Sequence, residues 1–164
     1  MNNQILGKVI SLYIAPIGTS GIREEKTSIE VKKEYGIVGD KFANSEDKDR
    51  LIMLIGENSY KLAKENNIDI PKVALGENLL LDFDPHTLNS GDTIQIGNSI
   101  LEITKECTLC KHLTKYNSKL PKLLLNKRGI YAKIVKGGTI KKGDDIILLE
   151  KERVAIWKEE HFYY

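Results

Sequence analysis

The sequence predicts a mainly β protein built as a closed barrel or a sandwich. Three observations carry this. Short β-branched or apolar runs recur along the chain, at Val9–Ile14, Ile29–Val31, Leu51–Ile55, Ile94–Ile96, Ile100–Ile103, Ile130–Val135 and Ile146–Leu149, and most are bounded by Gly, Asn, Asp or Ser. Two of them form a hairpin pattern: residues 93–96 and 99–103 alternate apolar and polar around the two-residue loop Gly97-Asn98. Helical patterns are few. With 164 residues and no Pro/Gly/Ser-rich linker, low-complexity tract or abrupt change of charge, the chain is expected to form one domain around one core.

Taken in order, Val9–Ile14 opens the set of strands. Gly36-Ile37-Val38-Gly39-Asp40-Lys41 spaces two glycines three apart after a strand-like segment. This is first a turn that needs positive φ, and second a backbone cradle for an anion assisted by Lys41. Asn44–Arg50 reads as a polar loop. Glu57–Asn66 has good helix formers and stops before Pro71. In Gly76-Glu77-Asn78-Leu79 an acid and an amide sit side by side between apolar residues. A Glu77 that faces inward must be paired or protonated, either as partner of Arg50 or Arg128 or as a group that orients a ligand; facing solvent, it has no role. Gly91-Asp92 and Gly143-Asp144 read as turns that each feed an Ile-rich strand. A short second helix is predicted over Pro121–Asn126, with Pro121 as its first residue. Lys127–Lys133 is either an anion clamp built on Arg128 or a charged helix end followed by a strand. The barrel domain is expected to span residues 1–150. The remaining 151–164, whose Val154–Trp157 run suits a terminal helix or an edge strand equally, is expected to pack on or beside it.

Charge and hydropathy exclude several classes. The 25 Lys+Arg and 23 Asp+Glu leave +2 with both signs interspersed, which is no footprint for nucleic acid or an anionic membrane surface. The longest apolar runs fall far short of the roughly 20 residues that span a bilayer. The N-terminus shows no secretory signal pattern, so a cytoplasmic location is expected. In that reducing compartment the two cysteines, Cys107 and Cys110, are expected to be thiols.

Cys107-Thr108-Leu109-Cys110, followed by His112, has several readings. A zinc site would draw on Cys107, Cys110 and His112, which is one ligand short of a structural set in one chain. A thioredoxin-like dithiol would need the motif to open a helix in a βαβ unit, whereas the surroundings look all-β. One reactive or metal-ligating thiolate at a pocket mouth, favoured by Lys105, Lys111 and His112, needs only a single cysteine. In the plainest reading both are small buried hydrophobes.

These signals stand in a recognisable order. Gly36-Ile-Val-Gly-Asp40, the strand Arg50-Leu-Ile-Met-Leu54, Gly76-Glu-Asn-Leu79, Leu88-Asn-Ser-Gly-Asp92 with Ile96-Gly97, a cysteine after the next strand, and Arg128-Gly-Ile-Tyr-Ala-Lys-Ile-Val135 leading to Gly138-Thr-Ile-Lys-Lys-Gly-Asp144 together resemble the MOSC domain, the family of the C-terminal domain of molybdenum cofactor sulfurases. The resemblance covers roughly residues 5 to 150 and rests on order and spacing. It implies a closed β-barrel similar to the small barrel domain of pyruvate kinase, with a few short helices.

The resemblance further implies a stand-alone protein that binds the molybdenum cofactor (molybdopterin) or carries sulfur as a cysteine persulfide. Cys110 best matches the family cysteine, as thiolate and molybdenum ligand, and Cys107 matches second, as the thiol that resolves it. Gly39, Asp40, Lys41, Arg50, Glu77, Asn78 and Arg128 match pocket positions: Lys41, Arg50 and Arg128 would neutralise the cofactor's phosphate, and Glu77 and Asn78 would orient its pterin. Two departures are Leu109, where relatives carry Pro or a small residue, and Lys41, where many carry Arg; lysine keeps the charge but not the planar fork. Pyridoxal phosphate is not expected in this isolated domain. A cysteine desulfurase or a molybdoenzyme is the implied partner. Two alternatives stand beside this one: molybdenum-dependent reduction of N-hydroxylated compounds with a partner electron donor, and a non-catalytic interaction module for a desulfurase or molybdoenzyme.

Overall fold

The structure, a computed structural model, describes residues 3–20, 22–108 and 111–150. In chain order the strands are β1 (Gln4–Ile14), β2 (Glu24–Lys26), β3 (Ser28–Lys32), β4 (Gly36–Ile37), β5 (Ile52–Gly56), β6 (Leu79–Leu81), β7 (Thr93–Ile96), β8 (Ser99–Glu106), β9 (Ile130–Lys136), β10 (Gly138–Lys141) and β11 (Asp145–Leu148). Two α-helices, α1 (Glu57–Glu65) and α2 (Leu120–Leu123), and three short 3-10 turns complete the described elements. Seven strands close a ring in the order β1-β11-β7-β8-β9-β5-β6, which returns to β1. The expected closed, mainly β barrel is what the chain forms. Strand β2 extends β1 outside the ring, and β10, β3 and β4 form a separate three-stranded sheet.

The ring is antiparallel except for β5 and β6, which pair in parallel from Leu54↔Leu79 to Gly56↔Leu81. A parallel pair needs a crossover, and α1 with the loop through Asn78 supplies it. Barrel curvature shows in the strand irregularities, with register shifts in β1 between Ile5 and Gly7 and in β8 between Ile103 and Glu106.

Strand β5 explains how one barrel supports two cores. All five of its residues are buried, and successive side chains of a strand point to opposite faces. Ile52 and Leu54 join the barrel interior with Leu12, Leu79, Leu81, Ile94, Leu101 and Ile146. Met53 and Ile55 join a second cluster with Ala63, Leu75, Cys107, Leu113, Leu120 and Leu124, under the helices on the outer face. This is why Leu51–Ile55 is a continuous apolar run rather than an alternating one.

The hairpin falls where its pattern put it, with Thr93↔Glu102 and Ile96↔Ser99 in register around Gly97 and Asn98. Helix α1 begins at Glu57 as predicted and is capped at Asn66. Helix α2 is shorter than expected and ends before Leu124, followed by Asn126 at φ +61°, a conformation that does not continue a helix. The polar loop 44–50 holds a 3-10 turn, Lys48–Arg50, whose N-cap Asp47 accepts the Asp49 N–H at 3.1 Å. Among the described residues no helix is long and apolar enough to cross a membrane. Residues 151–164 lie outside the described residues, and with them the expected packing of the tail.

Candidate functional site

A cleft of about 850 Å³ opens on the outer face of β5 and β9. Its floor is Met53, Gly76, Asn78 and Tyr131; its walls come from the loop before β2 (Ile22, Arg23), the loop after β4 (Phe42, Ser45, Asp47, Arg50), the segment Lys72–Ala74 and the 3-10 turn Lys111–Lys115 with Tyr116. Five fixed cations line it, Arg23, Arg50, Lys72, Lys115 and Arg128, against one carboxylate, Asp47, among the described residues. That carboxylate is already engaged, since Arg50 Nε and Lys105 Nζ each lie 3.2 Å from its Oδ2. The cleft therefore carries a strong surplus of positive charge on a chain whose net charge is only +2. Such a surface draws in anions.

Each cation is held differently. Arg128 is buried at the cleft's base, with Nε and Nη2 donating to the Leu75 carbonyl at 3.0 and 2.7 Å and Nη2 lying 3.2 Å from His112 Nε2. That contact makes the His112 Nε2 an acceptor, which requires a neutral imidazole; burial, Arg128 and Lys115 all hold the His112 pKa below its ordinary value. Gly76 is needed beside it. Its φ is +83°, and a Cβ there would stand 3.3 Å from Arg128 Nη2. Val73, on the same wall, is a β-branched residue at φ +63°, an unfavourable conformation of the kind found at functional walls. The Arg50 guanidinium lies over the Tyr131 ring at 5.6 Å.

The thiol side of the site is partly visible. Cys107 is 4% exposed and belongs to the outer core cluster. The Tyr131 hydroxyl, whose ring lines the cleft, donates to Cys107 Sγ at 3.5 Å. Burial and then this contact push the Tyr131 pKa up to about 12. Cys110 and Leu109 lie outside the described residues, between Thr108 and the turn that brings His112 and Lys115 to the cleft. Among the described residues no three His, Cys, Asp or Glu side chains converge as a metal site, and the zinc reading, which needs Cys110, falls outside them.

The predicted site residues thus divide. Arg50, Arg128 and Asn78 line the cleft. Asn78 spends both ends of its amide on backbone, accepting from Met53 N–H at 2.9 Å and donating to the Tyr13 carbonyl at 3.1 Å, so it fixes the floor. Glu77 points the other way. Its carboxyl is 1% exposed, receives the Tyr60 hydroxyl at 2.7 and 2.8 Å, and lines a second pocket of about 460 Å³. Burial raises its pKa against the opposing pull of Tyr60, its own backbone N–H, Arg23 and Arg128. The inward-facing reading of Glu77 therefore applies, with a tyrosine as its hydrogen-bonding partner.

Gly39, Asp40 and Lys41 stand behind the cleft wall. Gly39 takes φ +87°, as a turn glycine does. The N–H groups of Val38, Asp40 and Lys41 already donate to the carbonyls of Glu30, Ile37 and Ala15, so they make no anion cradle. The buried Asp40 carboxylate accepts from Ala15 N–H at 2.8 Å and ties two loops together. Lys41 Nζ turns to the Thr19 carbonyl at 3.3 Å. Arg23 lines the cleft instead, a residue that sequence reasoning did not single out: a lone arginine before a Glu-rich three-residue strand carries no motif.

Fold and site together define a small closed-barrel protein with a cationic cleft beside a buried thiol. The chain belongs to the MOSC domain family, whose model matches residues 39–147. Solved structures share the fold: YuaD protein from Bacillus subtilis has a TM-score of 0.72 at 19% identity, with 90% of this chain and 98% of that chain covered. YiiM from Geobacillus stearothermophilus gives 0.65 at 18% identity over 88% and 75%, and YiiM from Escherichia coli gives 0.62 at 18% over 86% and 70%. No curated protein matches the chain in sequence. Family membership associates the chain, in general terms, with molybdenum cofactor binding or sulfur-related function.

Proposed function

We propose that the chain binds the molybdenum cofactor through its phosphate in the cationic cleft, and that Cys110 is the thiolate that ligates molybdenum or carries a terminal sulfur. The observation that carries the reading is the charge of the cleft: five fixed cations, with the one described carboxylate already paired to Arg50 and Lys105. A phosphomonoester suits such a set, because guanidinium and ammonium donors give it charge-assisted hydrogen bonds in a partly desolvated cleft. The donor chemistry fits the rest of the group as well, since a soft thiolate suits molybdenum and sulfur. When bound, the cofactor supplies a redox-active metal centre. Arg128 and Arg50 would help neutralise its phosphate from the cleft lining, Met53 and Asn78 would form the floor, and Tyr131 would keep the Cys107 sulfur hydrogen-bonded. Cys107 is the thiol nearest in sequence to resolve an oxidised Cys110 as a disulfide. The partner is a cysteine desulfurase or a molybdoenzyme.

The test is elemental analysis and intact mass of gently purified wild-type protein and Cys110→Ser, expressed in a host that makes molybdenum cofactor. Molybdenum near stoichiometry, or a sulfur-sized mass addition, is expected in the wild type and lost in the variant. Neither signal in the wild type, with cofactor supply confirmed in the host, overturns the proposal and leaves the interaction module as the better account.

A further inference from the structure

We infer that Arg23 is the anion anchor of the cleft, the residue that selects a phosphate-type ligand, and that Phe42 positions it. This rests on the cleft being an anion site. Four buried side-chain polar atoms have no hydrogen-bond partner among the described residues, in Asn3, Arg23, Asn58 and His86. Only the one on Arg23, Nη1, belongs to a side chain that lines the cleft. The other two guanidinium groups there are committed to protein, Arg128 to the Leu75 carbonyl and Arg50 to Asp47. A buried donor without an acceptor is destabilising, and for a charged group the cost is larger. A ligand that brings oxygens to that nitrogen removes the cost, and a planar fork matches a phosphate.

The surroundings hold Arg23 for that purpose. Its Cζ lies 5.5 Å from the centroid of the Phe42 ring, which Lys41 Nζ approaches to 5.2 Å. The loops that carry Arg23 and Phe42 are joined by the Pro16–Asp40 bridge, the Lys41 N–H to Ala15 carbonyl bond at 2.7 Å and the Asp40 carboxylate on Ala15 N–H. Burial is the largest influence on Arg23; the carboxylates of Asp40 and Glu77 attract it from a distance and Arg128 repels it. Among the described residues no carboxylate ion-pairs with it, so two guanidinium groups face one space without a direct counter-ion for Arg23. An anion of two or more charges resolves this arrangement better than a monoanion.

The probes are inorganic pyrophosphate and acetate, titrated by calorimetry at low ionic strength into the full chain, with scanning calorimetry of the ligand-free protein alongside. Wild type is expected to bind pyrophosphate and to bind acetate at least tenfold more weakly. Arg23→Met, which keeps the apolar stem and removes the charged head, is expected to lose at least tenfold in pyrophosphate affinity while its ligand-free Tm stays level or rises. Arg23→Lys should fall between the two, and Phe42→Leu should lose affinity severalfold with the Tm of the wild type. Unchanged pyrophosphate binding in Arg23→Met overturns the assignment, and so does a loss of affinity accompanied by a fall in Tm, the signature of a structural residue. If wild type binds no pyrophosphate, the anion reading of the cleft fails with it; if Lys115→Gln weakens binding and Arg23→Met does not, only the role of Arg23 fails.

Discussion

Glu77 holds its carboxyl beneath Tyr60 with both oxygens on one hydroxyl. Because burial raises its pKa in the folded state, the folded chain binds this proton more tightly than the unfolded chain does. The stability that Glu77 contributes is therefore complete below its ordinary value of 4.5 and is lost as pH rises through the folded value. Across that window the loss is about 1.4 kcal/mol per pH unit. Glu77→Gln keeps the shape without the titration, so its stability should be flatter with pH over the same window, as denaturant unfolding at a series of pH values would read. The acid's presence between apolar residues was legible in the sequence, as was the choice it faced between pairing and protonation. The side of the segment on which it lies was not, because Glu77 and Asn78 are neighbours that face different pockets. Arg23 was illegible for a different reason: its partner ring, Phe42, comes from another loop, and nothing local marks the pairing.

At the scale of elements, strands long enough to show apolar periodicity or a continuous apolar run could be read, and the shortest ones could not. The hairpin β7–β8 and the buried strand β5 carry apolar periodicity or a continuous apolar run. Strand β2 is Glu-Glu-Lys, and β4 is two residues long with Ile37 alone to pack in the core; segments this short show no period, and their pairing partners lie elsewhere in the chain. Asn78 shows how such backbone is stitched. Its amide bridges the start of β5, at Met53 N–H, to the end of β1, at the Tyr13 carbonyl, while its own backbone N–H and carbonyl bond to Met53 and Tyr13 as well. Asn78→Ala strands two buried backbone groups, at about 1–3 kcal/mol for each. A loss of about 2–6 kcal/mol in unfolding free energy is expected, and Asn78→Asp, which keeps the acceptor for Met53 N–H but sets a carboxylate oxygen against the Tyr13 carbonyl, is expected to destabilise as well. Equilibrium unfolding in urea checks both.

For the whole molecule, the cleft concentrates on one face a charge that the chain's total conceals, +2 over 164 residues. Net charge alone gave the sequence no reason to bind anions; only the fold brings Arg23, Arg50, Lys72, Lys115 and Arg128 to one space. Global stability should register the difference. Pyrophosphate at a hundred times its dissociation constant is expected to stabilise the folded chain by about 2.7 kcal/mol. The increment should shrink as sodium chloride rises from 10 mM to 150 mM, because exposed charge is screened over about a Debye length. A thermal shift that does not respond to salt would contradict an electrostatic cleft.

The barrel's seam joins β1 to β11, where Lys8 and Asp145 meet 137 positions apart in the chain. Nascent chains grow at roughly 5–20 residues per second, so the first strand emerges on the order of ten seconds before the strand that seals it. During that interval β1 has an open edge and a row of apolar side chains without their final neighbours. Until β11 arrives the edge is open to pairing with other chains, and the yield of folded protein depends on how well the cell shields it.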